Sequence, residues 1–160
     1  GRVIERVFKD GVLMAGMTNE VVDGVIAALC NEFPDIPVYD EQVEQALNQP
    51  SFFVRSIAPR QRLFLNRRYL RTEMIEVTYF PPDDGRKRNV NDVFEKLFSS
   101  LEIIQAGQDM LRGTEMESHV DDESGVAVFT VNYRYFVTRP RDEAEEPEIT
   151  EIKLKGVTLR

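Results

Sequence analysis

The sequence predicts an α+β domain: a mainly antiparallel or mixed β-sheet with two amphipathic helices packed on one face, plus a C-terminal strand extension. Three observations carry this expectation. Two segments, Val21–Phe33 and Val90–Ile104, space their apolar residues as one face of a helix. Other runs, Tyr69–Phe80 and Val126–Val137 above all, alternate apolar and polar residues with the period of a strand. The order is helix, strands, helix, hairpin, linker, strand, and runs of strands with helices between them suit an α+β layer. A length of 160 residues fits one domain with a genuine core.

In chain order, Gly1–Gly16 reads as an N-terminal extension, with Met14 and Met17 as alternative starts and the leading glycine as a sign of processing. The first helix is expected over Asn19–Phe33. Thr18 or Asn19 can cap it, Glu20 and Asp23 suit its positive end, and Pro34 stops it. Val21, Val22, Val25, Ile26, Leu29 and Phe33 form its apolar stripe, and Gly24 within it marks close packing. Ile36–Tyr39 is a short strand, and Glu41–Asn48 a helical turn or loop. Ser51–Ile57 is a strand of near-continuous apolar character, which suits cover on both faces. Pro59–Asn66 is expected to be a basic loop. Tyr69–Phe80 then forms a long strand with Ile75, Val77 and Tyr79 on one face and Met74, Glu76 and Thr78 on the other, the pattern of a sheet covered on one side.

Pro81–Arg88 is a loop with an Asp-Asp-Gly turn signal. Asn89 caps the second helix, whose stripe Val90, Val93, Phe94, Leu97, Phe98, Leu101 and Ile104 runs to Ala106-Gly107 and marks it as a core element. Met110–Val120 and Val126–Val137 form a hairpin about Asp121–Gly125. Its second strand puts Ala127, Phe129, Val131, Tyr133, Tyr135 and Val137 on one face. Residues 140–148 (PRDEAEEPE) are an acidic linker with too little apolar surface to order itself. Ile149–Leu159 alternates again. The organisation is thus an extension at 1–16, a folded domain at 17–139, a linker at 140–148 and a C-terminal strand arm at 149–160.

Composition excludes several classes. A hydrophobic fraction of 42% and a charged fraction of 30% are those of a soluble globular chain. No apolar run approaches the roughly 20 residues of a spanning helix, and the first residues contain no signal-peptide h-region. A net charge of −8 opposes bulk nucleic-acid binding. The single cysteine, Cys30, rules out an intramolecular disulfide and fits a reduced cytosolic assembly site. Its place among alanines on the first helix predicts a buried or half-buried thiol. The single histidine, His119, is expected at the surface. No zinc site of the Cys/His kind can be built from one of each, and no glycine-rich phosphate loop occurs. Asp121, Asp122 and Glu123 read as a solvated turn. Catalytic, metal and cofactor-binding residues are therefore assigned to none, and no cofactor is expected.

Charge is distributed in blocks. Residues 17–54 hold seven acids and no Lys or Arg; residues 55–71 hold six arginines and no acid; residues 140–148 hold five acids against one arginine. The basic block supplies the candidate interface: Arg55, Arg60, Arg62, Phe64, Arg67, Arg68 and Arg71, with Tyr69 as a further anchor. Arginines and aromatics are enriched at interface hot spots. The same block also reads as a solvated loop pairing with acids of its own subunit, or as a grip on a nucleic-acid strand. The arm adds Ile149, Ile152, Leu154 and Val157 to the candidate surface. It can add to a neighbour's sheet or fold back on its own, and the expectation here is the neighbour.

The phrases MTNEVVDGVIAALCNEFPDIPVY at 17–39, QPSFFV at 49–54, RRYLRTEMIEVTYFP at 67–81, MLRGTEM at 110–116 and VNYRYFV at 131–137 together resemble the tail-terminator family of tailed phages, prophages and phage-like contractile particles. The resemblance spans Met17 to about Pro140 and implies a structural virion protein rather than an enzyme. It implies a hexameric ring at the head-proximal end of the tail that ends tube polymerisation and docks the capsid neck. The partners implied are copies of itself, the tail tube protein, neck or connector proteins and, in a contractile tail, the sheath. No membrane is among them, and DNA would be met only through the ring lumen. The setting implied is the virion tail, assembled in the cytoplasm of a bacterial host. The alternative is a DNA-contacting head-tail connector or neck protein. The polar blocks suit a ring, because a heterologous interface sets one face of a subunit against a different face of the next.

Overall fold

The two longest alternating runs become the spine of the sheet, because each can bury a full apolar face while its ladder satisfies the backbone. The computed structural model describes residues 4–7, 17–40, 49–83 and 87–139. They form β1 (Ile4–Val7), α1 (Met17–Glu32), β2 (Val38–Tyr39), β3 (Ser51–Ser56), β4 (Arg60–Leu65), β5 (Arg68–Phe80), α2 (Lys87–Ser100), β6 (Ile103–Ala106), β7 (Asp109–Val120) and β8 (Ala127–Thr138). Glu41–Asn48, the acidic linker and the terminal arm lie outside the described residues.

Among the described residues eight strands make one sheet, in the order β2-β3-β5-β8-β7-β6, with β4 also on β5 and β1 also on β8. β1 and β2 pair in parallel and the other ladders are antiparallel, so the sheet is mixed. β5 and β8 run together over their length, Arg68 opposite Thr138 and Tyr79 opposite Ala127. β3 and β4 share the other edge of β5: β3 takes Ile75–Phe80 and β4 takes Arg68–Thr72. They are one strand path interrupted at Ile57–Pro59, where proline has no N–H to give the ladder.

Both helices cover the same face. Phe33, just beyond α1, packs its ring 4.9 Å from Phe52, which lies 5.1 Å from Tyr79. Phe98 of α2 meets Phe129 edge-on at 5.2 Å. Phe52, Tyr79 and Phe129 point the same way as Ile75, Val77, Val131 and Tyr133, and all seven are buried. Each such side chain contributes roughly 1.5–3 kcal/mol by leaving water. The opposite face, from Leu70 to Phe80 and from Val128 to Thr138, is mostly half-buried, as the polar alternation predicts. Close packing at Gly24 is borne out: a Cβ there would stand 2.4 Å from the Gln105 carbonyl oxygen of β6.

Several local expectations are corrected. Pro59–Asn66 is not a loop; Arg60–Leu65 is strand β4, organised by pairing with β5 across a turn in which Asn66 adopts φ 53°. Asparagine is among the few non-glycine residues that tolerate this region. α2 stops at Ser100, and Ile104 is buried from β6 instead. The Ser99 hydroxyl donates back to the Lys96 carbonyl at 3.1 Å, a local bond that competes with helix continuation. A short strand burying alternate residues can prolong a helical stripe by coincidence. None of the three expected cap residues stands at a helix start: Thr18 and Asn19 fall inside α1, and Asn89 inside α2. The Thr18 hydroxyl donates to Glu73, and Asn89 lies inside α2 accepting from the Tyr79 hydroxyl at 2.9 Å. Cys30 is exposed, on the outer side of α1. Phe98 is 37% exposed, a margin of the core and not its centre.

Candidate assembly surface

The basic block becomes the end of β3 and the β4–β5 hairpin, and the strand pairing sorts its arginines into different environments. Arg55, on β3 opposite Glu76, donates from Nε to that carboxylate at 2.9 Å on the exposed face. Such pairs are worth little in stability. Arg60 and Arg62 lie exposed on β4 with no ion pair among the described residues. At the tip, Arg67 Nη1 donates to the Arg139 carbonyl at 2.6 Å, and the Arg139 N–H donates to the Arg67 carbonyl at 2.9 Å. Arg139 is thereby pinned beside the hairpin turn.

Arg68 stacks its guanidinium 4.0 Å from the Phe136 ring centre and 5.7 Å from that of Phe64; the two rings meet edge-on at 4.9 Å. This stack gives the tip a fixed shape, at about 0.5–1 kcal/mol per partly exposed cation–π contact. Phe64 nevertheless stays 51% exposed, and its neighbours Leu63 and Leu65 are 58% and 60% exposed. Tyr69 is half-buried. Sequence reading named Phe64 and overlooked the two leucines. The signal was present: three consecutive large apolar residues between arginines fit neither a solvated loop nor an alternating strand.

Arg71 does not belong to the surface. It is buried on the helix-covered face, its Nε donating to Gln61 Oε1 at 2.9 Å and its Nη1 lying 3.7 Å from Glu73. Glu73 is fully buried and accepts from Thr18 Oγ1 at 2.9 Å and from the Tyr135 hydroxyl at 2.8 Å, with Ser56 Oγ at 3.5 Å. Thr18 lies in the first turn of α1, whose positive end favours a carboxylate. Burial raises the Tyr135 phenol well above its ordinary value, and the charge of Glu73 beside it adds to the rise. This network fastens α1, β3, β5 and β8 together, so Arg71 serves folding. It escaped sequence reading because a glutamate at an alternating position gives no sign of which face it takes. Ile149, Ile152, Leu154 and Val157 lie outside the described residues.

A concavity of about 530 Å³ lies between Pro81–Asp83, the start of α2 and the β7–β8 turn. In that turn, hydrogen bonds from Ser124 and the Glu123 N–H hold the Asp121 carboxyl below its usual range. His119 is exposed, as expected. No group of His, Cys, Asp and Glu suited to a metal occurs among the described residues, and no helix there is long and apolar enough to cross a membrane. The hairpin thus presents exposed arginines on β4, an apolar tip and a firmly fixed base.

Comparison with known proteins bears on what that surface meets. Residues 20–145 match the family model described as phage tail terminator protein. No curated protein gives a significant match.

Proposed function

Because the chain belongs to the phage tail terminator family, and is thereby a structural component of a phage tail, we propose that it caps the head-proximal end of the tail tube as a hexameric ring. The observation that carries this reading is the match over residues 20–145, which takes in nearly the whole folded domain. In this role the ring ends tube polymerisation and offers a docking face to the capsid neck, and in a contractile tail it also meets the sheath. The family is one of structural tail proteins and not of enzymes, and a stop on polymerisation requires shape and contact rather than bond chemistry. Assembly takes place in the host cytoplasm.

The geometry supports a heterologous interface. Arg60 and Arg62 present positive charge on one strand edge, while α1 presents Asp23 and Glu32 elsewhere on the same subunit. Like faces repel and unlike faces steer together, which selects a head-to-tail ring over a symmetric dimer. The competing reading, a connector gripping DNA, draws on the same arginines, but Arg71 is buried and Arg55 is paired with Glu76. Duplex affinity with a steep salt slope would support that reading instead.

The test is negative-stain imaging of the protein, alone and mixed with tail tube protein, for wild type and for a chain carrying Arg60→Glu and Arg62→Glu. Rings on tube ends are expected for the wild type. The double variant should fold normally, since exposed charge changes stay within about 0.5 kcal/mol, and should assemble poorly. Intact tails carrying one copy at the tip would overturn the ring.

A further inference from the structure

We propose that strand β4 is a docking edge that receives the C-terminal segment, residues 149–160, of a neighbouring copy, in parallel orientation. The proposal rests on the ring reading and names the contact that would hold the ring.

Four observations lead to it. β4 pairs with β5 alone among the described residues, so within them its other edge carries no ladder. All six of its residues are exposed, Leu63, Phe64 and Leu65 among them. A strand edge of this kind is a template for pairing, and folded proteins cover or blunt it. Arg60 and Arg62 blunt the first half; the apolar second half is left for a partner.

The chemical order along the two segments corresponds. β4 reads basic then apolar, Arg60-Gln61-Arg62 followed by Leu63-Phe64-Leu65. The incoming segment carries Glu148 and Glu151 ahead of Ile152 and Leu154. Laid parallel with Leu154 beside Leu65, Ile152 falls beside Leu63, Glu151 beside Arg62, and Glu148 lies one step before the position opposite Arg60. Laid antiparallel with Ile152 beside Leu65 and Leu154 beside Leu63, Lys155 would fall beside Arg62. Strand addition of this type draws affinity from main-chain bonds and specificity from alternate side chains.

Geometry favours a neighbour over the same chain. The described residues end at Arg139, which is pinned to Arg67 at the hairpin tip. To lie parallel on its own β4, the chain must first return to the Arg60 end. That end is ~20 Å back along the strand, and the outer edge of β4 is about three strand spacings, ~14 Å, to the side. The direct path is thus roughly 25 Å, while the ten Cα steps from Arg139 to Ile149 reach at most about 35 Å. Passing around the tip lengthens that path and takes up much of the slack. A run of acids with two prolines repels itself, a composition that suits reach to the next subunit of a ring. Repeated at each junction, one donor and one receiver per subunit close the circle.

The test uses full-length chains with Cys30→Ser, so that no native thiol remains. One chain carries Leu65→Cys and a second carries Leu154→Cys. Under mild oxidation of the mixture, a disulfide-linked pair containing one of each is expected, in several-fold higher yield than from either chain alone. Adding Arg60→Glu and Arg62→Glu to the receiver should reduce that yield several-fold. A chain bearing both cysteines that closes on itself when diluted, with no mixed pair, would overturn the neighbour as donor. Absence of any crosslink in particles that imaging shows to be rings would overturn the docking edge and leave the ring reading intact. Failure to form rings alone or on tubes, with no crosslink, would overturn both.

Discussion

Removing the Glu73 carboxylate should be among the most damaging single changes in this chain. Glu73 is fully buried and accepts two short hydrogen bonds, from Thr18 at 2.9 Å and Tyr135 at 2.8 Å, with the Arg71 guanidinium 3.7 Å away. A hydrogen bond to a charged group contributes ~1.5–3 kcal/mol. Breaking a buried charge pair from one side costs ~3–5 kcal/mol, because the other charge stays behind. These figures overlap and do not add, since Arg71 retains Gln61. Glu73→Ala is therefore expected to cost about 4 kcal/mol. In a chain of 160 residues this corresponds to a fall of roughly 10–15 °C in Tm. Glu73→Gln keeps the volume and one acceptor, so about 1–2 kcal/mol is expected. Thermal and urea unfolding followed by circular dichroism would measure both, with an unchanged urea slope as the sign of an intact denatured state. A cycle of Glu73→Gln with Tyr135→Phe should give a coupling of about 1–3 kcal/mol. If Glu73→Ala unfolds within about 0.5 kcal/mol of wild type, or the coupling is nil, the network does not fasten α1 to the sheet.

Three further outcomes are expected. Phe94→Ala, at a site 8% exposed, should cost about 3–5 kcal/mol, whereas Phe98→Ala, at 37% exposed, should cost about 2 kcal/mol; equal losses would mean the α2 margin is misjudged. Gly24→Ala places a methyl 2.4 Å from the Gln105 carbonyl oxygen, so the strain of about 1–3 kcal/mol should exceed the ~1 kcal/mol gained in helix propensity; a raised Tm would show that α1 can move off β6. Burial raises the phenols of Tyr133 and Tyr135 above their ordinary 10.0. Groups raised in the fold stabilise it below the unfolded value and cease to do so as pH climbs through the folded value. Stability should thus decline above about pH 10, with tyrosinate absorbance appearing together with unfolding. Ionisation of both phenols in a still-folded chain would contradict that burial.

Much of this protein was legible from local pattern. Val21 to Leu29 and Val90 to Leu97 declare their helices because one face must leave water and its period is fixed by backbone geometry. Residues 127–137 declare a strand for the same reason, and the buried set of Tyr133, Tyr135 and Val137 followed from parity alone. The phrases spread over Met17–Pro140 also sufficed to suggest the family. Other features depended on partners distant in the chain. Nothing within Arg60–Leu65 alternates, so β4 exists only because β5 supplies its ladder. Ile104 continues a helical stripe by spacing but is buried from a strand, since the chain turns after Ser100. Arg71 and Arg68 sit in one basic run, yet one enters the core beside Glu73 and the other stacks on Phe136. Composition cannot separate them, because the environment of a side chain in a sheet is set by which face the register assigns it and by what lies across from it. Sequence alone determined the periods, the blocks of charge and the family; tertiary structure decided which charges were surface at all.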